Sequence, residues 1–172
     1  TNDNASLPSG SVSGGVLRLN SGQTVTLATG TYLLSGIDLS GGSKLLTAGP
    51  VRIFVTGSVK LGGNSSLNEA GPARNLVIFG SGSSADLSVA GASAILYMPS
   101  AALSLSGEMR LGGSALAGTV TIAGNSNATA PGLNAAAPTA TAGGSGKGGK
   151  LAFASLDGGV GLAAAADSAF VL

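Results

Sequence analysis

Apolar and polar residues alternate along much of this chain with a period of two. Asp86-Leu87-Ser88-Val89-Ala90-Gly91, Ala102-Leu103-Ser104-Leu105-Ser106-Gly107 and Thr119-Val120-Thr121-Ile122-Ala123-Gly124 carry one phrase: apolar, polar, apolar, small, glycine. Such alternation is the mark of a half-buried strand. The glycine permits a bend that a side chain would resist. Leu87 and Leu103 lie 16 residues apart, and Leu103 and Val120 lie 17 apart. A short strand and a bend recurring at that interval predict the coils of a β-solenoid. Leu87, Val89, Leu103, Leu105, Val120 and Ile122 should then share one stacked core, with the polar residues between them outside.

Further strand signals run almost without a break from Val16. They are Val16–Leu19, Val25–Leu27, Gly30–Leu34, Ile37–Leu39, Lys44–Leu46, Val51–Val55 and Val59–Leu61. Each is short, aliphatic or β-branched, and closed by Gly, Asn, Ser or Pro. No segment before residue 130 has helical periodicity, so crossover helices are excluded. An antiparallel sandwich should show two-residue turns such as Asn-Gly or Asp-Gly. The one such pair, Asp157-Gly158, lies outside the region. The expected fold is therefore all-β, a parallel β-helix of about five or six coils at roughly 18 to 20 residues each. Leu76–Phe79 and Ala94–Met98 are apolar on both faces, which predicts cover on their outer side, by the tail, a neighbouring subunit or both.

Composition marks the ends. Residues 1–15 are rich in Asn, Ser and Gly and read as a lead-in. The β-helix takes residues 16–129. Residues 130–150, with Gly143-Gly144-Ser145-Gly146-Lys147-Gly148-Gly149, read as a linker. Strand-like signals return in a C-terminal arm, residues 151–172, whose apolar positions are Leu151, Phe153, Leu156, Val160, Leu162, Phe170, Val171 and Leu172. Burying these side chains offsets only part of the backbone entropy of ordering the arm, so it needs ladder hydrogen bonds as well. The open edge of an end coil offers them, either on a neighbouring subunit or on the arm's own coil.

Gly30-Thr31-Tyr32, Ile37-x-Leu39-x-Gly41, Gly49-Pro50-Val51-x-Ile53, Val59-x-Leu61-x-Gly63-Asn64, Ile95-x-Tyr97-x-Pro99 and Val120-Thr121-Ile122-x-Gly124-Asn125 follow one another in a telling order. Over residues 22–126 the chain resembles β-helix domains of bacterial exported, pilus-associated and surface-anchored proteins. The resemblance implies a right-handed parallel β-helix with structural or adhesive surface roles, and it brings no catalytic residues. A weaker likeness to bactofilin-like solenoids rests only on the recurrent phrase.

Charge and chemistry narrow the function. The chain has 172 residues, a formal net charge of +1, 9% charged residues, 3% aromatics, 30 glycines, no cysteine and no histidine. Scattered Lys and Arg do not build the basic patch that nucleic acid requires, and no apolar run is long enough for membrane insertion. Without Cys there is no disulfide framework. Without His the commonest general base and metal ligand are missing. The chain starts at Thr1, and with its low charge it reads most simply as a mature exported form whose signal has been removed, or else as a chain trimmed at its start.

Candidate sites read weakly. Gly144 to Lys150 has phosphate-loop spacing, but Leu151 stands where Ser or Thr is needed. Asp38, Asp86 and Glu108 are the candidate carboxylates, with Lys60, Arg52 and Arg110 as charge partners. Glycoside hydrolysis needs two carboxyls about 5–10 Å apart, and the phrase alignment puts Asp38 beside Lys60 with no second acid at that position. Gly62-Gly63 and Gly112-Gly113 lack the Asp of calcium-binding repeats. Outward Thr pairs occur only at Thr24/Thr26 and Thr119/Thr121, too few for an ice-binding ladder. Asn4, Asn64 and Asn127 head glycosylation sequons of a kind that chance supplies in so Asn- and Ser-rich a chain.

The expectation is thus a non-enzymatic, cofactor-free structural subunit of an extracellular or cell-surface fibre. It would assemble with itself head to tail through the solenoid ends and the arm, with cell-surface polysaccharide as a further partner. The alternative is a carbohydrate-binding or carbohydrate-cleaving β-helix, for which Tyr32 and Tyr97 are the only tyrosines to stack on sugar.

Overall fold

The computed structural model describes residues 2–108 and 110–124, together with the backbone of strands 127–131, 140–142, 150–154 and 163–164. Three strands make each coil, one on each of three faces. After a short β1 (Val12–Ser13), the first coil runs β2 (Val16–Leu19), β3 (Thr24–Leu27) and β4 (Gly30–Leu34). These strands open faces A, B and C in turn. The second coil repeats them as β5 (Gly36–Leu39), β6 (Lys44–Thr47) and β7 (Val51–Val55), and the third as β8 (Val59–Leu61), β9 (Ser66–Leu67) and β10 (Leu76–Gly80). In the fourth coil β11 (Ser84–Leu87) lies on face A. β12 (Gly91–Leu105) then runs through faces B and C and on into face A of the fifth coil, and β13 (Arg110–Ile122) does the same one coil later.

Every pairing between successive coils is parallel. The chain is thus an all-β parallel solenoid of about five described coils, with no α-helix among the described residues. On face A, Leu17, Ile37, Val59, Ala85, Leu103 and Val120 stack in one row, at spacings of 20, 22, 26, 18 and 17 residues. The alternation works as the pattern predicts: β7 reads buried, exposed, buried, exposed, buried. Leu87, Val89, Leu103, Leu105 and Val120 are in the core, and Ile122 packs against it half-buried.

The phrase had the right face but the wrong rung at one point. Leu87 pairs with Leu105, not with Leu103, and Ala85 pairs with Leu103. The fourth coil turns its first corner with Val89, which is buried, and delays its glycine to Gly91. Elsewhere the corner glycine does what the phrase requires. Gly41 and Gly63 adopt φ of +60° and +59°, and a Cβ on Gly41 would lie 2.8 Å from the Ser21 backbone nitrogen of the coil before it. Ser21 takes the same left-handed turn, with φ of 50°.

The third coil is longest because residues 68–75 bulge out of it. Asn68 is 1% exposed and anchors the excursion. Its amide donates to the carbonyls of Pro72 (3.1 Å) and Ser93 (3.0 Å), and its Oδ1 accepts from the Thr47 hydroxyl (3.0 Å). The Ser93 hydroxyl donates to the Gly71 carbonyl at 2.7 Å and ties the loop down to the fourth coil.

The lead-in is more structured than its composition implied. β1 pairs antiparallel with β2, and Asn4–Ser6 forms a 3-10 turn. Beyond the fifth coil, strand β14 (Asn127–Pro131) pairs in parallel with β13 on face B, and β15 (Ala140–Ala142) pairs in parallel with β13 on face A, inside the stretch read as a linker. β16 (Lys150–Ala154) pairs in parallel with β14, and β17 (Ala163–Ala164) antiparallel with β16.

Candidate functional site

Three surfaces of the rod carry residues with something to bind or to do. The first is the outward row of face A. Arg18, Asp38, Lys60 and Asp86 occupy one position of successive coils, and Ser104 and Thr121 continue it. Alternating strand geometry turns these side chains outward while Leu17, Leu19, Ile37 and Leu39 fill the core. The sequence paired Asp38 with Lys60 correctly. It missed that Asp86 shares their row, because the phrase was aligned one dipeptide out in the fourth coil. Charges therefore alternate in sign along the row. At about 4.8 Å per rung, Asp38 and Asp86 sit about 10 Å apart with Lys60 between them.

Glu108 and Arg110 are exposed at the corner entering face B of the fifth coil, and Arg52 is exposed on face C. The structure does not bring them to the row of Asp38 and Asp86. Among the described residues no three Asp or Glu side chains gather as a metal site would require. Gly112-Gly113 lies within β13 and Gly62-Gly63 at a corner. Thr24, Thr26, Thr119 and Thr121 all point outward.

The second surface is the outer row of face C. Leu33, Phe54, Phe79, Tyr97 and Leu116 stack in register, one per coil. Leu33, Phe54 and Tyr97 are 50%, 40% and 48% exposed. The Phe54 and Phe79 rings stack with centroids 5.0 Å apart and planes 14° apart, and Tyr97 follows tilted at 6.1 Å. Rings that stack along the row give their faces to one another and leave edges for solvent. A pyranose needs a ring face, so this row is poorly built as a sugar platform. The other tyrosine, Tyr32, is buried, and its hydroxyl donates to the Ala28 carbonyl at 2.9 Å. The apolar character of Leu76–Phe79 and Ala94–Met98 was legible, but alignment of the row across coils needed the register.

The third surface is the N-terminal end, where three strands of the first coil present outer edges. On β4, Asp3 and Asn4 act as a substitute strand. Asp3 exchanges two hydrogen bonds with Thr31. The Asn4 side-chain amide donates to the Leu33 carbonyl at 2.6 Å, while its Oδ1 accepts from the Leu33 N–H at 2.9 Å. On β2, β1 pairs with Val16 and Leu17, and Arg18 N–H donates to the Ser11 carbonyl. β3 has one ladder partner among the described residues, β6. The Asx-rich start of the chain was the available signal, since Asp and Asn side chains readily bond nearby backbone.

Of the arm residues, Leu151 and Phe153 lie on β16, whose backbone pairs with Ala128 and Ala130 of the same chain. Leu156, Val160, Leu162, Phe170, Val171 and Leu172 lie outside the described residues, as does the Gly144–Gly149 part of the phosphate-loop-like stretch.

No curated protein and no solved structure matches the chain. One family model does, over residues 37–131, from the second coil to the end of β14, leaving the first coil and its caps outside the match. Covering more than half of its length, that match makes the chain a member of DUF7305, a domain family of unknown function.

Proposed function

We propose that this chain is a non-enzymatic structural subunit of an extracellular or cell-surface fibre, linked head to tail through its solenoid ends and the segment 151–172. The observation that carries the reading is the parallel pairing of Lys150–Ala154 with Asn127–Pro131. The first strand of the arm has the geometry of one more rung, and a rung can pair equally well with the end of another rod. A contact of that kind is heterologous and does not close on itself, so it propagates. The low proportion of charged residues, 9%, supports a surface location. The exposed apolar row Leu33, Phe54 and Tyr97 supports contact with further protein.

Electron microscopy of the full chain and of a variant lacking residues 146–172 tests this. Fibres from the full chain and monomers from the truncated one are expected. Fibres of native appearance from the truncated protein would remove the linking role.

One observation favours a carbohydrate-cleaving rod instead: Asp38 and Asp86 share a row at about 10 Å, near the carboxyl separation of inverting glycosidases. Lys60 between them and the edge-on rings of face C weigh against it. Products released from a polysaccharide panel, and lost in Asp86→Ala, would establish that reading.

A further inference from the structure

At the N-terminal end the three faces are treated differently. In a parallel ladder, alternate residues turn their N–H and C=O to opposite sides. Lys44 N–H donates to the Gln23 carbonyl and Ala48 N–H to the Leu27 carbonyl, with Thr24 in register with Lys44. This phase turns Val25 and Leu27 toward β6 and turns the N–H and C=O of Thr24 and Thr26 to the open side. The equivalent outward groups of β4, on Thr31 and Leu33, are all satisfied by Asp3 and Asn4. Those of β2 face β1 and Ser11. The outward groups of Thr24 and Thr26 have no partner among the described residues. Two edges are closed by dedicated segments and the third is left open between them.

We infer that the outer edge of β3, Thr24 to Leu27, is the docking edge for the last strands of face B, β16 and β17, of a second copy of this chain. The inference rests on the head-to-tail reading and names where it acts. The edge carries none of the devices that blunt a free strand. It has no Lys, no Pro and no bulge, only exposed, neutral Thr24 and Thr26 beside Gln23. Beyond the fifth coil, faces A and B each gain two parallel rungs, Thr119–Ile122 and β15 on face A and β14 and β16 on face B, and face B alone reaches one strand further, through β17 on β16. Two rods aligned on one axis therefore bring the column that reaches furthest at one end to the open column at the other.

Thr26→Pro removes one outward N–H without touching the bonds to β6. Sedimentation velocity against concentration compares it with the wild-type full chain. Quenched hydrogen exchange follows the Thr24 and Thr26 amides in dilute and assembled wild type. The expected result is growing wild-type oligomers, at least tenfold weaker association of Thr26→Pro, and at least tenfold slower exchange at both amides on assembly. If Thr26→Pro does not fold, wild-type exchange decides alone. Growth of Thr26→Pro like wild type, or amides that stay fast in the assembly, would overturn the docking edge and leave head-to-tail assembly standing through another surface. Assembly that stops at two with both amides protected would mean that β3 pairs with β3, and would overturn the proposed donor. A wild-type chain that stays monomeric would overturn both the edge and the fibre.

Discussion

Asp3 and Thr31 are joined by two hydrogen bonds of 2.7 Å, one in each direction: Asp3 N–H donates to the Thr31 carbonyl, and Thr31 N–H donates to the Asp3 carboxylate. A residue 28 positions upstream thereby occupies the place of a preceding strand. Removing the carboxylate leaves the Thr31 N–H to water and loosens the cap on β4. Asp3→Ala is expected to cost about 1–2 kcal/mol, read as a lower urea midpoint. Light scattering should rise as a second edge opens.

The core assignment is tested by adjacent residues. Leu103 is 3% exposed, and Ser104 points outward next to Asp86. Leu103→Asp buries an unpaired charge and should cost at least about 3 kcal/mol, enough to unfold the solenoid by circular dichroism. Ser104→Asp places like charges on neighbouring rungs, a penalty of about 0.2–1 kcal/mol, and should remain folded. Equal stability of the two variants would refute the facing.

Asn68 combines burial, three side-chain hydrogen bonds and φ of 49°. Asn68→Ala strands the Pro72 and Ser93 carbonyls and keeps the left-handed strain, for an expected loss of about 2–4 kcal/mol. Asn68→Gly keeps the backbone conformation and should recover part of that loss. Denaturant unfolding of the pair separates the backbone contribution from that of the amide.

Phe54 and Phe79 stack on a surface rather than in a core. A double-mutant cycle with Phe54→Ala and Phe79→Ala should return a coupling of about 0.5–1.5 kcal/mol. A coupling near zero would show that the row is an array of independent side chains.

The strands and their facing were legible because both follow from period-two alternation. That signal is strong where every second residue is Leu, Val or Ile, as in Val51-Arg52-Ile53-Phe54-Val55. Which rung faces which was not legible where coil length changes. Residues 68–75 lengthen one coil, and Val89 replaces a corner glycine in the next, so Asp86 was placed apart from Asp38 and Lys60. The caps were missed for a different reason. Asp3 and Asn4 act through side chains on backbone 28 and 29 positions away, and no periodicity records such a contact. The aromatic row lies between these cases: its members are visible one by one, and their alignment needs the register.

Ser21 holds a left-handed turn that the next two coils reserve for Gly41 and Gly63, whose hypothetical Cβ atoms would strike the coil before. By the same geometry, the Cβ of Ser21 would crowd any backbone laid one rung further out. With β1 and Asp3 standing over the other two faces, an identical rod could seat on this end through face B alone. A fibre of such rods would be articulated, each joint carried by one face and free to bend away from the other two. Its persistence length would be set at the seams between subunits and not within the stiff coils.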